Sequence, residues 1–125
     1  NWLRPLAAVT LAQGGSVQSS RTLWQRVLDT SDVEWLRVQA RFRLKQLDAM
    51  DTIHLLELTV REYQRRTGAR ARSWQDLVAA GLLRGTPIDS EQHVFQLNPF
   101  SGAVTLDRGS PLNPLPVTGY QVQTP

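Results

Sequence analysis

The 125-residue sequence contains no cysteine, a single methionine, a single lysine and only two histidines. Without cysteine, a disulfide framework, a thiolate zinc site and a cysteine nucleophile are excluded. No apolar run approaches the roughly 18 residues that a membrane-spanning helix needs. The sequence also lacks a Gly-x-Ser-x-Gly elbow and a glycine loop followed by Lys-Ser or Lys-Thr. We therefore expect a protein that is not an enzyme and that holds no metal or cofactor.

The two histidines, His54 and His93, lie in different predicted elements. With one histidine per segment and no cysteine beside it, we interpret both as ordinary surface residues rather than as metal ligands or general bases. The acidic side chains that could offer oxygens to calcium are Asp107, in the loop after the second β-type run, and Asp89 and Glu91 elsewhere. They supply too few oxygens for the six to eight ligands that calcium prefers.

Hydrophobic residues make up 41% of the chain and charged residues 20%. This balance is typical of one compact domain or a short run of repeats. The chain begins with Asn1 and not with methionine, so we expect a processed or truncated piece of a longer protein. Of the 14 basic residues only Arg84 and Arg108 lie beyond residue 72, so the basic charge is concentrated in the first half.

Apolar periodicity in the first two thirds of the sequence predicts a series of helices. Pro5 suits a first helical turn, Ser16 can cap a second helix, and Ser31 with Glu34 has the spacing of a capping box. Gly68 and Gly81 are placed to end the last two helices. The predicted helices span about residues 5–12, 16–28, 31–48, 51–66 and 73–80.

The third predicted helix carries two apolar stripes, which predicts packing against neighbours on two sides. We accordingly expect Trp24, Trp35 and Trp74 to belong to the core. Arg21, Gln25 and Arg26 are predicted to form the polar side of the preceding helix. The two stripes consist of Val33, Leu36, Ala40, Leu44 and Leu47, and of Trp35, Val38 and Phe42.

The period changes after Gly85. Residues 94–97 and 103–106 are short β-type runs, and the Pro and Gly between them predict a hairpin. Four of the seven prolines lie in the last 15 residues, so residues 110–125 are predicted to be an extended arm, docked or mobile. The predicted fold class is mainly α with a small C-terminal β-hairpin.

Two segments resemble known families. Residues 6–28 are similar to one tetratricopeptide-type helical hairpin through Ala7, Ala8, Leu11, Gly15, Ser20, Trp24 and Val27. Residues 55–106 resemble the globular head of bacterial type II secretion pseudopilins. That resemblance rests on Tyr63, Arg66, Gly68, Leu77, Val78, Gly81, Leu82, Leu83, Pro87, Asp89, Phe95, Leu97, Gly102 and Val104.

These resemblances imply an organisation in three parts. Residues 1–50 would form a tetratricopeptide-like hairpin and a following helix, and residues 51–109 a pseudopilin-like helix-and-hairpin module. Residues 110–125 would be the Pro-rich tail. They also imply a bacterial protein of the cell envelope, membrane-associated or periplasmic, although a cytoplasmic location stays open.

From these features we expect a non-enzymatic protein–protein interaction or scaffold subunit of a larger membrane-associated assembly. Its partners would be other protein subunits and not a small-molecule substrate, and any membrane association would come through partners or an upstream segment. The expected contact residues are an apolar N-terminal edge and a basic helix face. They are Trp2, Leu6 and Leu11, and Arg37, Arg41 and Lys45.

Two alternatives remain open. The arginines around the end of the fourth predicted helix could grip a nucleic-acid backbone, with Trp74 close by to stack a base. A solvent-exposed helix face explains the same arginines. The further alternative is a type II secretion or pilus component. The alternative nucleic-acid face consists of Arg61, Arg65, Arg66, Arg70 and Arg72.

Overall fold

The structure, a computed structural model, describes residues 15–116, with side chains from Val17 to Pro116. Three helices are followed by a two-stranded antiparallel sheet, which confirms the predicted fold class. The helix predicted over residues 5–12 lies outside the described residues. The elements are α1 (Gly15–Thr30), α2 (Glu34–Thr67), α3 (Trp74–Ala79), β1 (Gln96–Leu97) and β2 (Val104–Thr105).

Helices α1 and α2 form an antiparallel hairpin. Near the start of α1, Val17 packs in a small cluster with Leu47 and Met50 of α2. At the other end of α1, the Leu28 carbonyl accepts a hydrogen bond from Arg37, near the start of α2. This pairing of early with late residues sets the two helices side by side, with the short turn at residues 31–33.

Helix α2 is continuous over 34 residues, or about 51 Å. The prediction of separate third and fourth helices is wrong, and the boundary expected between residues 50 and 51 lies inside α2. The sequence contains no glycine or proline from Glu34 to Thr67, so nothing in the backbone chemistry interrupts the helix. Because its apolar residues continue at helical spacing, tertiary packing stabilises the full length.

The sequence predicted the C-terminal end of α2 correctly but not its N-terminal end. The capping box is wrong, because the residue that precedes the helix is Val33 and no side chain caps it. Ser31 Oγ instead accepts the Val33 N–H at 3.1 Å. At the other end the prediction is confirmed. Gly68 adopts φ 76° and donates its N–H to the Gln64 carbonyl, after a basic last turn.

The C-terminal module, residues 70–116, packs against the second half of α2. Its main core joins one face of α2 to α3, the hairpin and the final described segment. Trp74 is buried, as predicted, and its indole N–H donates to the Phe95 carbonyl at 2.7 Å. The buried members of this core are Ala49, Leu56, Val60, Ala71, Trp74, Leu77, Leu82, Leu83, Phe95, Val104, Leu106 and Leu112.

The predicted β-hairpin is confirmed, with Gln96 opposite Thr105 and Leu97 opposite Val104. Its turn is closed by the Gly102 N–H, which donates to the Asn98 carbonyl at 2.8 Å, and Gly102 has a φ of 77° that favours glycine. The hairpin is joined to α2, because the Val104 N–H donates to Glu57 Oε2 at 2.9 Å.

The loop before the hairpin contains Pro87 and Asp89 and is called the Pro-x-Asp loop. The buried carboxylate of Asp89 organises it. One of its oxygens accepts the N–H groups of Glu91 and His93 at 2.8 and 3.0 Å. The other accepts the Ser110 hydroxyl at 2.7 Å. A buried carboxylate is costly without such partners, so Asp89 ties this loop to the chain after the hairpin.

The described part of the Pro-rich tail, residues 110–116, is docked on the rest of the fold, which is one of the two arrangements that the sequence left open. Leu112 is buried in the main core, and Leu115 packs against both hydrophobic clusters. The buried amide of Gln46 donates to the Leu112 and Pro114 carbonyls at 2.8 and 3.0 Å. Residues 117–125 lie outside the described residues.

The prediction that Trp35 belongs to the core is wrong, since its surface is 69% exposed. The two-sided packing of α2 holds further along the helix, where α1 contacts Leu47 on one face and the C-terminal module contacts Ala49 and Leu56 on the other. Among the described residues, that second cover begins at Phe42. In the described part of the chain, the first two turns of α2 therefore have a neighbour on one face only.

Candidate interaction surfaces

The most exposed apolar surface on α2 is formed by Trp35 and Val38, called here the α2 patch. The two residues are 69% and 52% exposed. Their spacing of three places them on one face of the helix, and Phe42 continues that face into the main core. Val33, 43% exposed, lies just before the helix at the same end of the hairpin. Within residues 15–116, the apolar face of α2 thus extends beyond the part that the rest of the chain covers.

Polar side chains border the α2 patch on both sides. Glu34 and Arg41 lie one turn from Val38, and Arg41 donates to Glu34 at 3.2 Å. Gln39 and Arg43 lie on the other side of the stripe by the same helical spacing. An apolar centre with a polar rim, rich in tryptophan and arginine, is the usual anatomy of a protein interface.

The three residues of the predicted basic face, Arg37, Arg41 and Lys45, have different roles in the structure. Arg37 is turned towards the α1–α2 connection, where it donates to the carbonyls of Leu28 and Ser31. Arg41 is exposed and lies beside the α2 patch. Lys45 forms an ion pair of 3.3 Å with Glu91 of the C-terminal module. Arg41 therefore lies at the surface beside the α2 patch, Lys45 is paired with the C-terminal module, and Arg37 stabilises the turn.

The other predicted contact residues, Trp2, Leu6 and Leu11, lie outside the described residues. This part of the predicted contact surface therefore stays a prediction.

The predicted arginine cluster is partly neutralised within the chain. Arg65 and Arg66 both donate to Glu62, at distances of 2.6 to 2.9 Å. Hydrogen bonds from Arg65 and Arg66 lower the pKa of the Glu62 carboxyl to about 2. The same hydrogen bond raises the pKa of Arg65. Two of the five arginines therefore share one carboxylate that stays ionised throughout the physiological range.

A groove lies between the last turns of α2 and the turn of the β-hairpin, next to Arg61 and Arg70. Its volume is about 180 Å³. Phe100, at the tip of the hairpin turn, is 85% exposed. We call this feature the hairpin groove. Its walls carry Arg61, Gln64, Arg70 and Ser101, and Val60 and Ala71 form its apolar base.

Sequence reasoning identified the arginines of the hairpin groove but not the groove itself. Gln64, Phe100 and Ser101 were not predicted to belong to a site. The separation between α2 and the hairpin turn is about 40 residues, so no local pattern indicates that they meet. The one available signal was Phe100 itself, a large apolar residue within a predicted turn.

The polar residues near the Pro-x-Asp loop form a structural network. His93 Nδ1 lies 3.0 Å from Asp107 Oδ2, and Ser110 donates to Asp89. The serine does not contact the histidine, so these groups do not form a nucleophile–base pair. His54 is half-buried in α2. Within residues 15–116, no three His, Asp or Glu side chains are grouped so as to hold a metal ion.

Comparisons with known proteins give no relative. No protein-family model matches the chain, and neither a curated protein nor a solved structure is significantly similar to it. In the part of the chain that the structure describes, no helix has both the length and the hydropathy to cross a membrane.

Proposed function

We propose that this chain is a non-enzymatic protein–protein interaction module whose principal contact is the α2 patch. The observation that supports this proposal is the exposure of Trp35 and Val38 on the same helix face that the C-terminal module covers from Phe42 onwards. Trp35 and Val38 are apolar, like the residues of the same face that the C-terminal module covers. The α2 patch is suited to a second apolar cover supplied by another protein, such as the apolar face of a helix.

The energetic gain from such a contact is substantial. Covering the exposed part of Trp35 removes on the order of 150 Å² of surface from water, which contributes about 4 kcal/mol. Association costs about 4–15 kcal/mol in lost freedom, so Trp35 alone does not sustain a stable complex. Val38 and the polar rim around Arg41 must contribute as well. The patch therefore fits one anchor of a larger contact.

The wider setting proposed for this module is an assembly of the bacterial cell envelope. That part of the proposal rests on the sequence resemblances to a tetratricopeptide hairpin and to pseudopilin heads. A direct role in type II secretion or a pilus is a narrower proposal that rests on the second resemblance only.

The alternative proposal, nucleic-acid binding, is supported by the position of Phe100 beside Arg70, which donates to its carbonyl. An aromatic side chain next to arginines is a common arrangement for stacking a base and contacting a phosphate. Against it, Glu62 neutralises part of the cluster and Glu57 adds a negative charge to the hairpin groove.

Affinity purification from the native cells, membranes included, separates these proposals. Wild type, Val38→Glu and Arg84→Gln are compared with and without nuclease, and Arg84 is an exposed residue that belongs to neither surface. We expect protein partners that resist nuclease, are retained by Arg84→Gln and are lost with Val38→Glu. Partners that disappear with nuclease, irrespective of Val38, would contradict the proposal and favour nucleic acid.

A further inference from the structure

We propose that the hairpin groove binds an acidic, extended peptide segment of the partner protein. A carboxylate of the peptide lies between Arg61 and Arg70, and a neighbouring apolar side chain covers Phe100. This inference rests on the proposed function, because it names the chemistry of a second contact with a protein partner. It concerns the opposite end of α2 from the α2 patch.

The size of the hairpin groove fits a side chain rather than a cofactor. Its volume of about 180 Å³ is below the roughly 300–1,000 Å³ of small-molecule sites. Val60 and Ala71 at its base are buried, 5% and 1% exposed, and belong to the main core. The base is therefore rigid, and the groove has room for one or two side chains of a chain that lies across it.

The charges on the two walls fit a carboxylate. Arg61 lies on α2 and Arg70 in the loop after Gly68, so the two guanidinium groups approach from different elements. Among residues 15–116 neither of them forms an ion pair. Arg70 donates to the Phe100 carbonyl, which orients its guanidinium and leaves other N–H donors available. Arginine forks match the geometry of a carboxylate through paired hydrogen bonds.

Phe100 is exposed and also held in place by its turn. The Asn98 side chain accepts the N–H groups of Phe100 and Ser101 at 2.8 and 3.1 Å. The backbone that carries the ring is thus fixed before any ligand binds. A backbone that is already ordered reduces the entropy lost when a ligand binds.

Charge at the hairpin groove favours an acidic peptide over a nucleic acid. Glu57 lines the groove and accepts the Val104 N–H, so a negative charge lies where a continuous phosphate chain would pass. Arg65 and Arg66 are engaged with Glu62 and do not extend a basic track from the groove. The carboxylate of an acidic peptide can pair with the arginines, and its backbone N–H groups can donate to Glu57. A polyanion is attracted by the arginines but repelled by Glu57.

The test is an NMR titration of the ¹⁵N-labelled full chain with three probes. These are acetyl-Glu-Phe-Glu-amide, its neutral counterpart acetyl-Gln-Phe-Gln-amide, and the oligonucleotide (dT)8. We expect saturable shifts at Gln64 and at residues 100–103 with the acidic peptide only. Arg61→Gln and Arg70→Gln should each weaken this binding at least 5-fold, and Arg84→Gln should leave it unchanged.

Three results would overturn the inference: no saturable shifts, equal binding of the neutral peptide, or stronger binding of (dT)8 in the same groove. The spectra of the variants report folding directly, so a loss of structure is distinguished from a loss of binding. Val38→Glu should bind the acidic peptide as wild type does. If the hairpin groove does not bind the peptide while the α2 patch still binds its partner, only this inference is rejected. If the α2 patch binds no partner while the hairpin groove binds the peptide, the proposed function is rejected.

Discussion

Arg21 on α1 forms ion pairs with Asp48 and Asp51 of α2, each at 2.5 Å. The sequence placed this arginine on the polar side of α1 with Gln25 and Arg26, which line one surface with it, and its ion-pair partners lie on the neighbouring helix. Burial raises the pKa of Asp51, and the attraction of Arg21 offsets only part of that effect. Burial alone would lower the pKa of Arg21, but hydrogen bonding and attraction to Asp48 outweigh it and raise the value.

Replacing Arg21 by methionine should therefore destabilise the helix pair. Arg21→Met keeps the apolar stem but leaves Asp51 half-buried without its cation, and we expect a loss of about 1–3 kcal/mol at pH 7. The deficit should shrink as the pH falls, because protonation of Asp51 removes the unpaired charge. Urea unfolding at pH 7 and pH 4 measures both values. A deficit that is equal at the two pH values would contradict this account.

The Glu62 carboxyl provides a second residue-level prediction. Its pKa is lowered from 4.5 to about 2 by hydrogen bonds from Arg65 and Arg66. A carboxyl with a depressed folded-state pKa contributes stability above pH 4.5, and that contribution is lost as the pH falls towards 2. Carbon-13 NMR titration should give a pKa near 2 in wild type and a value closer to 4.5 in the Arg65→Gln, Arg66→Gln double variant. Arg72→Gln is the control and should leave the titration unchanged.

At the scale of elements, the structure shows which predictions depend on local chemistry. The ends of α2 and α3 at Gly68 and Gly81 and the turn of the hairpin were predicted correctly, because glycine with positive φ acts within a few residues. The exposure of Trp35 was not predicted. Periodicity shows that a face of a helix is apolar, but it does not show how far a segment distant in sequence covers that face. The hairpin groove joins segments remote in sequence, so only its arginines were found.

The docking of residues 110–116 depends on Gln46, whose side chain is 1% exposed. Gln46→Leu retains most of the volume but removes the donor to the Leu112 and Pro114 carbonyls. We expect a loss of about 1–3 kcal/mol, since a buried carbonyl left unpaired carries that cost. Urea unfolding measures this loss of stability. Amide hydrogen exchange within residues 110–113 should also be faster in the variant than in wild type.

Gln75→Leu is the matched control, because Gln75 is exposed on α3. It should change the free energy of unfolding by less than about 0.5 kcal/mol. Equal stability of the two variants would show that Gln46 does not hold the segment.

At the scale of the whole molecule, α2 is the common support of two separate surfaces. The α2 patch lies near its first residue and the hairpin groove near its last turns. Arg61 follows Trp35 by 26 positions, which correspond to about 39 Å along the helix. A single partner would need an extended shape to reach both, and otherwise two partners could bind at once. Either arrangement suits a scaffold subunit.

The central claim is that the α2 patch contacts another protein, and photo-crosslinking tests it most directly. A photoreactive phenylalanine analogue replaces Trp35 in one variant and Gln75 in a control, each expressed in the native cells at native level. We predict a nuclease-resistant protein adduct of defined mass from position 35 and none from position 75. Absence of an adduct at position 35, or equal labelling from both positions, would contradict the claim.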